Sequence, residues 1–112
     1  MDQPIPNVSS SDLASVVERD FPLEVRAKIA ALLDAYGDPD AVRVKLAILK
    51  LADGDASKAR HYVSAATQDY RDVLAWAEYP GSMDKDWPLP AQTRDSVIAA
   101  DWEQYEAWLK RR

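Results

Sequence analysis

Cysteine is missing from this chain, which excludes thiolate catalysis, disulfide scaffolds and cysteine-ligated zinc. Histidine occurs once, as His61, with no His-x-x-Glu or Glu-x-x-His spacing around it. Zinc centres and Ser-His-Asp systems need a histidine with convergent partners. His61 is therefore expected as a solvated surface residue, and no metal, cofactor or catalytic residue is expected. Only three glycines are present, so there is no Gly-x-Gly-x-x-Gly and no phosphate loop. Ser82 sits in Pro80-Gly81-Ser82-Met83, without the Gly-x-Ser-x-Gly turn that exposes a nucleophile. Positive charge is short as well: 14 Lys and Arg face 19 acidic residues, a net charge of −5. Nucleic-acid surfaces normally carry a basic excess, so no nucleic-acid partner is expected. Long apolar runs are missing too. Aliphatic runs such as Leu46–Leu49 are far short of the ~20 residues of a membrane span. Met1–Pro6 offers neither a basic nor an apolar targeting region. The expectation is a cytoplasmic protein with no membrane partner.

What is present is a chain of 112 residues, 47% apolar and 29% charged, enough for one soluble core. Seven prolines and the three glycines fall almost entirely between periodic segments. Residues 1–9, with Pro4 and Pro6, read as a flexible N-terminal arm, and 10–112 as a single helical domain. A first helix starts near Ser10 or Ser11, either of which can cap, and carries Leu13, Val16 and Val17. A second starts around Pro22 and buries Val25, Ile29, Leu32, Leu33 and Tyr36, with Gly37 as its left-handed stop.

Asp38-Pro39-Asp40 announces the third helix, residues about 39–53. Val42, Leu46 and Leu49 occupy one side of it and Val44, Ile48 and Leu51 the opposite side. A surface helix needs one apolar side, so two predict a central helix, with Arg43, Lys45 and Lys50 snorkelling out. The alternation of Val42 to Leu46 also suits a strand, but the flanking caps and the length favour helix. Gly54 stops this element and Asp55 caps the next. Residues 56–78 then read as one unbroken helix of about 33 Å at 1.5 Å per residue. Residues 79–90 read as the one long loop. A last helix follows from about Pro90, with Ile98, Trp102, Tyr105 and Leu109 facing inward and Val97 and Trp108 beside them. The expected fold is all-α, a compact bundle of about five helices.

The stretch Asp69-Tyr70-Arg71-Asp72-Val73-Leu74-Ala75-Trp76-Ala77-Glu78-Tyr79-Pro80 is distinctive, as is Val44–Leu51 followed by Gly54-Asp55. Together they resemble a group of short uncharacterised bacterial proteins with the same helix–Gly-Asp–helix order, over residues 23–109. The resemblance implies a bacterial cytosolic origin and a helical fold. It implies no activity and no functional residue.

Asp101 is an acid on the apolar arc of the last helix, with Val97, Tyr105 and Trp108 at helical spacing. A carboxylate there needs a partner, and Arg71 or Arg94 is expected to supply an ion pair. Asp69–Asp72 presents both charge signs over one turn, either a solvated surface with tertiary salt bridges or a docking epitope. Eight of the ten aromatics lie between Tyr62 and Trp108. Trp76, Tyr79, Trp87, Trp102 and Trp108 are expected in the core, with a small-molecule pocket as the rival. Trp87, in a Pro-flanked loop, is either an anchor or an exposed interface residue. The leading expectation is a non-catalytic protein–protein interaction or small regulatory module, with an unidentified partner or self-association. One alternative is a small-molecule binder or minor enzyme with an aromatic pocket near Asp101. Another is an acidic inhibitor of a basic protein. The candidate interaction or pocket residues are Arg71, Trp76, Tyr79, Trp87, Asp101 and Trp102.

Overall fold

The computed structural model describes residues 8–37, 41–83 and 91–111, excepting the side chains of 82, 83, 91, 92 and 94. Those residues form α1 (Ser10–Asp20), α2 (Leu23–Asp34), α3 (Ala41–Ala52), α4 (Ala56–Glu78), the single turn α5 (Pro80–Met83) and α6 (Ala91–Leu109). No strand occurs among the described residues, so the all-α reading holds.

α3 is the centre. Val44, Leu46, Ala47, Ile48, Leu49 and Ala52 are completely buried, which takes in both sides of the helix. Val42 and Leu51 are half-buried against the same core. α4 is the principal neighbour of α3, and α1 also packs on it. The lysines and arginine of α3 do not simply reach water. Arg43 is held by Glu78, Lys45 lies 3.9 Å from Asp34, and Lys50 is half-buried.

Side-chain caps set the starts of α1 and α4. Ser9, rather than Ser10 or Ser11, caps α1: its hydroxyl accepts from Asp12 N while Asp12 accepts from Ser9 N at 2.9 Å. Val8 packs against the core beside it, and residues 1–7, the rest of the expected arm, lie outside the described residues. α2 ends at Asp34, three residues short of Gly37, and Gly37 has no positive φ. The glycine stop expected there is absent, because Ala35 and Tyr36 close the helix with backbone bonds to Leu32 and Leu33. Asp38-Pro39-Asp40 lies outside the described residues. After α3, Asp53 (φ 50) and Gly54 (φ 81) turn the chain left-handed, and Asp55 caps α4 through Ser57 N and Lys58 N.

The one unbroken helix expected over 56–78 is not there. α4 bends at Asp69, whose φ of −157° and ψ of 99° are extended. The Tyr62 and Trp76 rings meet edge to face with centroids 6.3 Å apart. Fourteen residues of straight helix would separate their backbones by about 21 Å. The two arms, 56–68 and 70–78, are therefore folded toward each other at a sharp elbow. The expected long loop is also interrupted, since Pro80 opens α5.

Candidate functional site

The elbow has a local cause. Thr67 bonds back to Val63 O at 3.0 Å, a contact that bends helices. Asp69 then acts as the N-cap of the second arm, its Oδ1 accepting from Arg71 N at 3.1 Å. The Arg71 guanidinium closes on the same carboxylate, with Nε to Oδ1 at 3.0 Å and Nη2 to Oδ2 at 3.1 Å. These bonds from Arg71 hold the exposed Asp69 carboxyl below its usual range and raise Arg71 in turn. Arg71 is thus committed to its own turn, not to the tertiary bridges expected and not to Asp101. A cleft of about 510 Å³ opens at the elbow, lined by Tyr36, Gly37, Thr67, Gln68, Tyr70 and Arg71 among others.

Trp76 was expected in the core and is instead 39% exposed, resting edge-on against Tyr62. His61 is exposed as expected and contacts the Tyr62 ring at 5.0 Å. Among the described residues the remaining expected aromatics line neither cleft. Trp108 is buried, Tyr79 and Trp102 are half-buried, and Trp87 lies outside the described residues. Of the expected site residues only Arg71 lines either of the two clefts described. The second, about 420 Å³, runs between α1 and α2 over Leu13, Val17, Ala27 and Ala30.

Asp101 is buried within the apolar stripe of α6, as its spacing indicated. The deepest positions of that helix are Ile98, Asp101, Tyr105 and Trp108, while Trp102 and Leu109 are half-buried, so the inward face is rotated from the one expected. Asp101 Oδ1 accepts from Gly81 N at 2.7 Å, tying the start of α5 to α6. A Cβ at Gly81 would come within 2.6 Å of that oxygen, so any larger residue there would have to push the carboxylate aside. The side chain of Arg94, the other expected partner, is outside the described part. Lys50 is depressed below its ordinary value by burial, an effect opposed by the charges of Asp101 and Asp53.

Two clusters were missed by sequence reasoning. Glu78, only 2% exposed, receives a two-pronged pair from Arg43, Nε to Oε2 at 2.8 Å and Nη2 to Oε1 at 2.6 Å. Tyr79 beside it is raised by burial and by the Glu78 carboxylate. Tyr105, also raised mainly by burial, is buried with its hydroxyl unbonded. At the chain's other closure, Arg19 Nη1 donates to Trp108 O and Arg111 O, both at 2.8 Å, and its guanidinium lies 5.2 Å over the Trp108 ring. The only signal for either was a charged residue close to an apolar stripe.

Among the described residues no three metal-ligating side chains gather, and no helix is long and apolar enough to cross a membrane. No family model, curated protein or solved structure matches the chain.

Proposed function

We propose that this chain is a non-catalytic protein–protein interaction module, a small adaptor or regulator that docks a partner through the Trp76–Tyr62 face of α4. The observation that carries the reading is the exposure of Trp76 in a held orientation. Tryptophan is the residue most enriched at interface hot spots, and a ring already fixed by an edge contact loses little freedom on binding. The acidic balance of the chain, −5, would speed encounter with a basic partner. The proposed setting is the bacterial cytosol, which rests on the resemblance of residues 23–109 alone. Among the described residues Asp101 gives its Oδ1 to Gly81 N, a structural use of the carboxylate, and lines neither of the two clefts.

The test is capture from host cytosol with wild-type and Trp76→Ala baits in parallel, then calorimetry with the purified partner. A protein retained by the wild type and bound about 30-fold more weakly by Trp76→Ala supports the proposal, the size expected of a hot-spot tryptophan. Equal binding by both baits, or no specific partner, contradicts it.

A further inference from the structure

We infer that the Asp69 elbow is a hinge through which this chain pairs with a second copy of itself, exchanging the second arm of α4 together with α5 and α6. The evidence is that residues 56–78 support two backbones, one bent at the Asp69 cap and one straight through it. Residues 56–78 contain no proline and no glycine. Their apolar stripe runs across the bend at helical spacing, from Ala59, Val63 and Ala66 to Tyr70, Val73, Leu74 and Ala77. A straight helix through Asp69 is therefore open to this sequence, and it would restore the backbone ladder that an extended residue interrupts.

Two things hold the bend. One is the exposed cap of Asp69 on Arg71 N with its flanking ion pair. The other is the seating of Val73, Leu74, Ala77 and Glu78 in the core beside Arg43. The second set does not require that both sides belong to one chain. With α4 straightened in two copies, the second arm of each fills the place vacated in the other. The Arg43–Glu78 pair, the Tyr62–Trp76 contact and the Arg19 bonds to Trp108 and Arg111 then re-form between chains. Only the hinge changes, which is the defining economy of a swapped dimer. Exchange requires withdrawing buried Glu78 and Tyr105, so the monomer and dimer interconvert slowly and can be separated.

Asp69→Ala deletes the cap and favours helix at the hinge, each chain gaining about tenfold toward the straight form. A swapped dimer has two hinges, so its association constant rises about a hundredfold. Asp69→Asn keeps a capping side chain and stays close to the wild type. Subunit number is read by light scattering. Chain exchange is read by refolding labelled with unlabelled protein and recording isotope-filtered contacts between the Tyr62 and Trp76 rings. The expected result is a dimer of Asp69→Ala in which those contacts run between chains. A monomeric Asp69→Ala, or a dimer whose Tyr62–Trp76 contacts stay within each chain, overturns the inference. If Asp69→Ala does not fold, the wild type refolded at millimolar concentration gives the same readout: an inter-chain contact supports the hinge, and recovery of monomer alone overturns it.

Discussion

Glu78 and Arg43 are the most consequential pair of side chains in the molecule. Glu78 is buried, and its two oxygens are taken by one guanidinium. Removing either partner strands the other charge, so Glu78→Ala or Arg43→Ala is expected to cost about 3–5 kcal/mol in urea unfolding, whereas the apolar double variant Arg43→Met/Glu78→Leu recovers most of it. Tyr105 behaves oppositely. Its hydroxyl is buried without a hydrogen-bond partner, so Tyr105→Phe should stabilise the fold by about 1 kcal/mol. Burial raises that phenol in the native state, so above about pH 10 the unfolded chain ionises first and stability falls. Lys50 works the other way: its native value is depressed, so stability rises with pH between that value and about 10.4. Thermal unfolding against pH should show the alkaline loss reduced in Tyr105→Phe. At Asp101, replacement by Ala leaves the Gly81 N–H without its acceptor and is expected to cost about 1–3 kcal/mol, while Asp101→Asn keeps most of the stability. That Asp101 would be buried was legible from its spacing on α6. Its bond to Gly81 N was not, because a backbone N–H has no sequence signature.

The elements were legible wherever apolar period and capping agreed. α1, α2, α3 and α6 lie close to where periodicity placed them, and Asp55 caps α4 as its position after Gly54 indicated. Asp55→Ala is expected to cost about 1 kcal/mol by the same urea measurement. Gly54→Ala should cost at least as much, since φ is 81° and the new Cβ would sit 3.2 Å from Asp20 O. The elbow in α4 was the main failure. Its signal was nevertheless present: Asp69 with Asp72 three residues later repeats the pattern of Ser9 and Asp12 at the start of α1. An unbroken apolar stripe across Asp69 outweighed that signal, since periodicity records which side is buried and not whether the axis is straight. Similar reasoning explains Gly37, where an available stop residue went unused because the helix had already closed.

At the scale of the molecule, one helix is enclosed by the others and the end of α1 is fastened to the end of α6. α3 supplies the buried spine, with α1 and α4 packed around it. Arg19 near the end of α1 satisfies the last carbonyls of α6, groups that a helix terminus otherwise leaves to water. Arg19→Ala is expected to fray α6 from Trp108 onward, seen as faster amide exchange there than in α3. Sequence reasoning placed α3 at the centre because two apolar sides have no other use. It could not place the end of α1 against the end of α6, because that closure depends on how α4 bends. The architecture therefore turns on the elbow. The most direct measurement is the nuclear Overhauser spectrum of the wild-type monomer. Ring contacts between Tyr62 and Trp76, with a break in helical backbone contacts at Asp69, are the expected result. Helical contacts running without interruption from Ala66 to Val73, and no contact between the two rings, would contradict it.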